Sequence, residues 1–504
     1  LESNNGLVKK MIYTLSFVAL FILLMAVVNF INMSVSRSAA RMKEIGIRKV
    51  LGGLKKQLIL QFLVESIILV LFATVFALAI YIASRSFISD ILGKEIPALS
   101  AFPFYFIVIP FLFAFVVGIL AGIYPAFVLS SLKSVDSLKG KLKSVKENIL
   151  LRKSLVAFQF CTATIVFIGA IIVSQQLDLF FSKDLGYDKE YVVSAQLPRD
   201  WSANGVRNIE MIRDQLARMP EVKNISLSYE IPNGNNVTSM LIYKAGEDST
   251  HAVSSQALVT DELYADTYKI PMAAGIFFNP PGAVYDSTKI VINEAEAKAF
   301  GWKNVTEAIG QHLKIQGFNN IVFAVSGVTK DYHYASMQEK IQPATFVHVN
   351  LWQAYRFFSF KIKPGDIGNS IAALQKKWAQ LMPGTPFEYS FMDDALKKLY
   401  TTEIQLKKAS YTATILALII VLLGVLGLIS LSIQKRTKEI GIRKVLGSSV
   451  ADIIALFMKE FLSVIFIAGI IAFPLAYIIM RNWLNGYAYR IDRTAQPFII
   501  SILL

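Results

Sequence analysis

The most specific chemical pattern in this sequence is a charged decapeptide, KEIGIRKVLG, which occurs at 43–52 and again, without a change, at 438–447. On a helix, Glu44 and Arg48 of the first copy form an i,i+4 ion pair in the favourable acid-first order, which contributes about 0.2–0.5 kcal/mol. A second arginine, Arg41, lies seven residues before Arg48 and therefore on the same face. The pattern is suited to docking a partner rather than to breaking a bond.

The residues predicted to contact that partner are the charged ones and one glycine in each copy. Each glycine costs its helix about 1 kcal/mol relative to Ala, so a close approach by another backbone is a reasonable cause for it. The first copy supplies Arg41, Lys43, Glu44, Gly46, Arg48 and Lys49, and the second supplies Arg436, Lys438, Glu439, Gly441, Arg443 and Lys444.

An anionic lipid surface is the alternative partner for the decapeptides, because a basic interfacial helix can anchor a loop to headgroups. Lipid asks only for basic and apolar character, whereas a shaped protein groove asks for a fixed order of residues. Recent duplication would also leave two identical copies. We favour a protein partner.

Asp331 and His333, within the sequence KDYHY, are the other candidates for catalysis or metal binding. The remaining histidines have no ligand spacing to them, and neither H-x-x-x-H nor G-x-S-x-G occurs. We interpret KDYHY as a turn after a strand. No G-x-x-x-x-G-K-[ST] phosphate loop is present either, so the chain is predicted not to be an enzyme. We expect no catalytic, cofactor-binding or metal-binding residues.

Both decapeptides follow long apolar segments, and hydrophobic residues make up 54% of the chain. A helix needs about 20 apolar residues to cross a hydrocarbon layer about 30 Å thick. Such segments lie at 11–34, 58–83, 102–130, 154–177, 409–433 and 452–480, and a seventh begins at Pro497.

The net charge of +15 is concentrated in the short segments 35–57, 131–153 and 434–450. Short loops rich in Lys and Arg stay in the cytoplasm. Even numbers of predicted crossings separate these three loops, so one orientation places all of them inside. Residues 178–407 then lie outside, and with 23 basic and 25 acidic residues they are nearly neutral. The positive charge therefore indicates topology and argues against a nucleic-acid partner.

The chain repeats a three-helix unit. A shift of 395 positions superimposes the decapeptides and also aligns Phe62 with Phe457 and Glu65 with Glu460. Duplication in the same orientation predicts two halves related by an axis along the membrane normal. We predict a first membrane unit at 1–150, an outward-leading helix at 151–177, an outer domain at 178–407 and a second, truncated membrane unit at 408–504.

The outer domain is predicted to be α+β from its periodicity. Alternating apolar residues predict strands at 289–293, 321–328 and 357–363, and helical spacing predicts helices at 208–218, 294–300 and 367–381. Asn293 is the expected N-cap of the second helix. Segment 391–407 is expected to form one helical stalk that continues into the membrane.

Four motifs carry a resemblance to a known family. They are KEIGIRKVLG, AGIYPAFVLSSLKSVDSLKG at 121–140, LRKSLVAFQF at 151–160 and GVTKDYHYASMQEKIQP at 327–343. In these four motifs the chain resembles the MacB/FtsX-type permeases of ABC transporters, in their large two-unit form. The resemblance implies an α-helical integral membrane protein with two FtsX-like helix units and an inserted MacB-like α+β extracytoplasmic domain. Members of this form have eight membrane helices and two periplasmic domains, so we expect that the first helix, the first domain and most of the last helix are missing here.

The resemblance also implies function. The decapeptides would be coupling helices seated on ABC ATPase subunits, two of them, which bind ATP and Mg while this chain binds no cofactor. The chain would be a multi-pass permease of the inner membrane that couples hydrolysis to movement of its periplasmic domain, for export or extraction of a lipoprotein, peptide or drug-like substrate. The alternative is an FtsX-like regulator that activates a periplasmic cell-wall hydrolase or signals to a sensor. Membrane lipid and a periplasmic adaptor or hydrolase are the further expected partners.

Overall fold

The computed structural model describes residues 2–92, 95–130, 149–234, 238–279, 286–318, 321–492 and 495–502. Its contacts separate two units. The helical unit comprises Leu1–Asp178, Thr402–Leu484 and Ile491–Leu504, and the core unit comprises Leu179–Thr401 together with the short segment Asn485–Arg490. Most of the basic segment predicted at 131–153 lies outside the described residues.

The helices are described in chain order. They are α1 (Glu2–Val50), α2 (Lys55–Leu92), α3 (Phe104–Ser130), α4 (Ile149–Ser182), α5 (Ala203–Ala217), α6 (Tyr264–Tyr268), α7 (Glu294–Ala299), α8 (Val349–Trp352), α9 (Ile367–Leu381), α10 (Met392–Leu399), α11 (Thr401–Val445), α12 (Val450–Leu484) and α13 (Gln496–Ile502).

Within the described residues, six of these helices are long and apolar enough to cross a membrane, as the six complete apolar segments predict. The spans are Ile12–Ser34, Lys55–Asp90, Phe104–Ile123, Lys153–Ser182, Thr401–Gly427 and Leu462–Leu484. The predicted seventh crossing corresponds to the start of α13. Two helices, α1 and α11, continue well beyond their apolar spans, which the hydropathy pattern alone does not show.

Close packing of α3 on α2 explains the G-x-x-x-G spacing in α3. A Cβ atom at Gly118 would lie 2.8 Å from the Cα of Ile67, and one at Gly122 would lie 2.8 Å from the Cβ of Ser66. Such distances leave no room for a side chain. Small residues at this spacing therefore bring the two helix backbones together, as they do in membrane helix pairs generally.

Helices α1, α4 and α11 meet in a small buried cluster that contains Met25, Ala163, Ala417 and Val421. Next to it the Nε2 of Gln159 donates to the backbone oxygen of Met25 at 3.2 Å. The cluster joins a helix of the first half, a helix of the second half and the helix that leads to the core unit. The helical unit is thus held together by contacts that cross the repeat boundary.

The described residues of the core unit form one sheet of eleven strands. They are β1 (Val192–Gln196), β2 (Val222–Ser228), β3 (Ser239–Lys244), β4 (Val253–Thr260), β5 (Met272–Gly275), β6 (Lys289–Asn293), β7 (His312–Ile315), β8 (Val322–Thr329), β9 (Ala344–His348), β10 (Phe357–Ile362) and β11 (Tyr389–Phe391). The neighbours follow the order β11-β1-β10-β2-β4-β3-β7-β8-β6-β9, with β5 on β8.

Parallel pairing of β4 with β9 closes six of these strands into a ring, because β9 also ends the path through β3, β7, β8 and β6. Buried residues such as Ile242, Ile292, Phe323 and Val347 belong to the apolar core associated with these strands. A second apolar core joins β1, β10 and β2 to α5 and α9, with Trp378 of α9 buried in it. The fold is therefore a helical membrane protein with an inserted α+β domain.

The three predicted strands correspond to β6, β8 and β10 within a residue of their bounds, and the three predicted helices correspond to α5, α7 and α9. Helix α5, however, begins at Ala203, five residues before its predicted start. The Oδ1 of Asn293 accepts from the backbone N of Glu296 at 2.9 Å, so the expected N-cap of α7 is confirmed. The stalk predicted at 391–407 is wrong as a single helix. It is divided at Tyr400 into α10 and α11. Tyr400 is buried, its ring stacks on Phe180 at 4.7 Å, and its hydroxyl accepts from the backbone N of Met337 at 3.0 Å.

Candidate functional site: two helix ends with the same sequence

Each decapeptide is the end of a helix that also contains a membrane span. Helix α1 runs from the span Ile12–Ser34 to Val50, and α11 runs from the span Thr401–Gly427 to Val445. Each described helix continues from its span into the decapeptide, and the next long helix begins after the turn that follows. We call the two ends, residues 43–52 and 438–447, the first and second foot.

The last glycine of the first foot has a backbone role. The N–H of Gly53 donates to the oxygen of Arg48 at 2.9 Å, and that of Gly52 donates to the oxygen of Lys49 at 3.2 Å. These are the two hydrogen bonds of a Schellman helix end, which needs a left-handed residue, and Gly52 has φ +89°. The turn then leads directly into α2.

The second foot ends in the same way. The N–H of Ser448 donates to the oxygen of Arg443 at 3.0 Å, that of Gly447 donates to the oxygen of Lys444 at 3.2 Å, and Gly447 has φ +93°. Both terminal glycines therefore have an intrachain reason to be conserved between the copies, independent of any partner. The remaining identity of the feet still has to be explained by their surfaces.

The charged side chains of the feet form the predicted ion pairs. Arg48 lies 2.7 Å from Glu44, and Arg443 lies 2.8 Å from Glu439. All four side chains are between 42% and 49% exposed, so the pairs add little stability, and their effect is to fix where each guanidinium points. Arg48 also donates to the Oε1 of Gln61 in α2 at 2.8 Å.

Lys49 contacts the end of α3 rather than open solvent. Its Nζ donates to the backbone oxygen of Ser130 at 2.6 Å, a favourable position for a cation because carbonyl groups point out of a helix C-terminus. Partial burial, and then the charge of Lys55, lower the pKa of Lys49. This residue therefore ties the first foot to its own helical unit.

An exposed apolar patch completes each foot. Ile47, Val50 and Leu51 are 50%, 61% and 81% exposed in the first foot. Their equivalents, Ile442, Val445 and Leu446, are 62%, 88% and 79% exposed. The contact residues predicted from the sequence did not include these six, although their spacing of three and four positions places the three residues of each foot on one helical face.

The inner face of the first foot is packed against its neighbours. Ile45 is 2% exposed and contacts a cluster that contains Leu58, Phe62 and Ala126. Gly46 is buried as well. The first foot therefore presents its Glu–Arg pair and its apolar patch outward while Ile45 anchors it to α2 and α3.

The other predicted contact residues have different surroundings. Lys438 and Lys444 are exposed, and Arg436 is half-buried. No atom of the described residues lies within 4 Å of a Cβ placed on Gly441, so the close approach expected there has no intrachain partner in this part of the structure. The side chains of Arg41 and Lys43 lie outside the described residues.

Asp331 and His333 have structural roles. The Oδ1 of Asp331 accepts from the backbone N of Ala295 at 2.9 Å, and its own backbone N donates to the Oε2 of Glu294 at 3.0 Å, so it joins a loop to the first turn of α7. Among the described residues, no group of three or more His, Cys, Asp or Glu side chains could hold a metal ion.

Comparison with known proteins separates the chain into the same two kinds of unit. The family model for the FtsX-like permease C-terminal region matches residues 16–133 and 411–504, and that for the MacB-like periplasmic core domain matches residues 160–381. The chain belongs to the MacB/FtsX-type permeases. This confirms the family that the four motifs indicate. As a MacB/FtsX-type permease it is a multi-pass membrane protein, and its core unit is the periplasmic domain.

Curated relatives of this permease are similar over part of their length. A probable export ATP-binding/permease protein MacB of Pseudomonas entomophila is 25% identical over 48% of this chain and 38% of its own length. A macrolide export ATP-binding/permease protein MacB of Burkholderia thailandensis is 26% identical over 41% of this chain and 32% of its own length. The matched region thus spans about a third of these relatives.

Solved structures of similar proteins cover the periplasmic part. The periplasmic region of MacB from Actinobacillus actinomycetemcomitans matches 44% of this chain and 97% of its own, with 12% identity and a TM-score of 0.32. The extracellular domain of the noncanonic ABC-type transporter YknZ from Gram-positive bacteria matches 40% of this chain and 98% of its own, with 17% identity and a TM-score of 0.28.

Proposed function

We propose that this permease receives force at its two feet from ABC ATPase subunits and delivers it to its periplasmic domain. The observation that carries the proposal is the continuity of α11, which runs without interruption from Thr401, at the edge of the core unit, to Val445 in the second foot. A helix of 45 residues is about 68 Å long, more than twice the thickness of the hydrocarbon layer. Movement of the foot therefore has to move the whole helix.

The surface of the feet supports a protein partner. Each foot combines an outward apolar patch with a Glu–Arg pair whose guanidinium is held in place, and a groove of complementary shape could bury the first and pair with the second. Two equivalent feet in one chain suit two ATPase subunits. ATP and Mg²⁺ would be bound by those subunits, since this sequence has no phosphate loop.

The location and substrate follow from the same proposal. Short basic loops support an orientation with both feet in the cytoplasm, and the proposed location is the inner membrane. The substrate would be a lipoprotein, peptide or drug-like compound that is exported or extracted on the periplasmic side. Relatives include a macrolide export and a probable syringafactin export ATP-binding/permease protein, which supports a role in export. A periplasmic adaptor would be a further component of the proposed assembly.

Charge reversal at both feet tests the proposal. The Arg48→Glu, Arg443→Glu double variant should lose its co-expressed ABC ATPase in a detergent pull-down, because each guanidinium is replaced by a carboxylate beside an existing one. The Arg207→Glu, Arg218→Glu variant makes the same change at two exposed sites of α5 and its C-cap and should keep the ATPase. Equal recovery of the ATPase from both variants would contradict docking at the feet.

A deletion strain separates transport from regulation. Retention of an exported compound or lipoprotein supports transport by this chain. Defective wall remodelling without such retention supports instead the FtsX-like alternative, in which the moving periplasmic domain activates a hydrolase or signals to a sensor. The two readouts use the same strain and need no purified substrate.

A further inference from the structure

The segment Asn485–Arg490, which connects α12 to α13, packs with the core unit rather than with the helices on either side of it. The N–H of Ala488 donates to the oxygen of Gln338 at 2.9 Å, and the N–H of Tyr489 donates to the oxygen of Met337 at 3.3 Å. Backbone hydrogen bonds to a loop of the periplasmic domain are not expected of a simple connection between two membrane helices.

The side chain of Tyr489 strengthens this contact. Its ring lies edge to face with His333 at 4.6 Å between centroids, and the Nζ of Lys183 lies 4.2 Å from the ring centroid. Burial, and then the charge of Lys183, lower the pKa of His333 to about 4. The imidazole is therefore neutral near pH 7, which avoids a second cation beside Lys183. The KDYHY motif thus provides His333 as a packing partner for Tyr489.

A second aromatic contact lies nearby. The ring of Tyr487 is 5.7 Å from that of Phe180, which is fully buried and also stacks on Tyr400. Tyr400 in turn accepts from the backbone N of Met337. The end of α4, the residue before α11, the loop 331–338 and the segment Asn485–Arg490 therefore share one set of contacts.

We propose that Asn485–Arg490 is a third attachment of the periplasmic domain, through which α12 and α13 move together with it. The domain is joined covalently to α4 and α11, so those two helices need no further link. Helices α12 and α13 have no such connection, and the contacts of Tyr487, Ala488 and Tyr489 supply one. The attachment itself follows from these contacts, whereas its part in transmission rests on the proposed function.

A disulfide tests the attachment without any ATPase. In a Cys161→Ser background, which removes the only native cysteine, Gln338→Cys and Ala488→Cys are introduced together into the full chain. Mild oxidation in membranes should give a linked 338–488 peptide in mass spectrometry, because the backbones of these residues are hydrogen-bonded. The two single-cysteine chains are the controls. Absence of the linked peptide from the double variant would overturn the attachment.

Hydrogen exchange tests the contribution of Tyr489. The Tyr489→Ala variant should exchange the backbone amides of 485–490 about 2–12-fold faster than the parent, the effect of losing one aromatic contact. The Tyr489→Phe variant keeps the ring and should differ little from the parent. The His333→Ala variant should match Tyr489→Ala, and the double variant should add little to either. Additive effects of the two substitutions would contradict a shared contact.

Transmission is tested with the permease bound to its ATPase. In the parent, ATP should change the hydrogen-exchange rates of the backbone amides in both 331–338 and 485–490. In the Tyr489→Ala variant, ATP should change the rates in only one of these two segments. If the two segments respond independently in the parent, the transmission role is wrong even when the disulfide forms. Failure of the ATPase to bind contradicts the proposed function alone, because the disulfide experiment still decides the attachment.

Discussion

Asn29 and Gly424 occupy equivalent positions in the two halves of the repeat, 395 residues apart, and they face each other in the helical unit. A Cβ atom on Gly424 would lie 3.1 Å from the Oδ1 of Asn29 and 3.3 Å from the Oε1 of Gln159. Helices α1 and α11, which end in the two feet, therefore contact each other at equivalent positions of the two halves.

A side chain at this point should separate the helices. Gly→Ala ordinarily stabilises a helix by about 1 kcal/mol, but at Gly424 the added methyl group meets two amide oxygens of α1 and α4. We expect Gly424→Ala to gain nothing or to lower the unfolding temperature in detergent. Gly427→Ala is the control, because among the described residues its methyl group would contact Met33 at 3.5 Å, an ordinary van der Waals distance. A higher unfolding temperature for both variants would show that the contact tolerates a methyl group.

The apolar patches of the feet should contribute to ATPase affinity. Burying one leucine side chain is worth about 1.5–3 kcal/mol, so Leu51→Asp combined with Leu446→Asp should weaken binding by at least about 10-fold in a titration of purified components. Both leucines are exposed, so the fold should be unaffected. The control is Leu241→Asp, which introduces a carboxylate at an exposed site of β3. If the affinity for the ATPase is unchanged in the double variant, the apolar patches do not contribute to docking, and the charged residues of the feet remain as the docking groups.

The two glycines of the second foot should respond in opposite ways to alanine. Gly447 has φ +93°, where a Cβ costs about 1–2 kcal/mol, so Gly447→Ala should destabilise the turn between α11 and α12. Gly441 lies in the helix, and none of the described residues has an atom within 4 Å of a Cβ placed there, so Gly441→Ala should stabilise the isolated permease. Thermal unfolding measures both effects. If Gly441→Ala stabilises the permease but abolishes ATPase binding, the ATPase occupies the space next to Gly441 in the complex.

Glu296 should make the periplasmic domain less stable as the pH rises. Its carboxyl group is buried beside Ser255 and Thr345, and burial raises its pKa to about 7. The folded domain therefore keeps a proton that the unfolded chain loses near pH 4.5, so stability falls between about pH 4.5 and 7. Glu296→Gln should reduce this fall, as measured by hydrogen exchange of β4 and β9 corrected for intrinsic rates. If the stability of Glu296→Gln depends on pH as that of the parent does, a group other than Glu296 causes the dependence.

Local patterns in the sequence predicted the six spans and the ion pairs of the feet, because each depends on residues close together on one helix. The same reasoning placed β6, β8 and β10 within a residue of their observed bounds. It found the feet as charged surfaces but undervalued Ile47 and Val50, since apolar residues near a membrane span are easily taken as part of it.

Features that depend on distant contacts could not be predicted. The parallel pairing of β4 with β9 joins segments about 90 residues apart, and nothing in either strand indicates its neighbour. The break at Tyr400 coincides with contacts to Phe180 and Met337, whereas the local sequence is helical on both sides. For the same reason, the membership of Asn485–Arg490 in the core unit was not foreseen.

If α11 transmits force as proposed, its lengths on either side of Gly424 would set the ratio of the movements at its two ends. About 35 Å of helix lies between Thr401 and Gly424, and about 32 Å lies between Gly424 and Val445. A rod that tilts about this contact has nearly equal arms. Its periplasmic end would move about as far as its foot, and in the opposite direction.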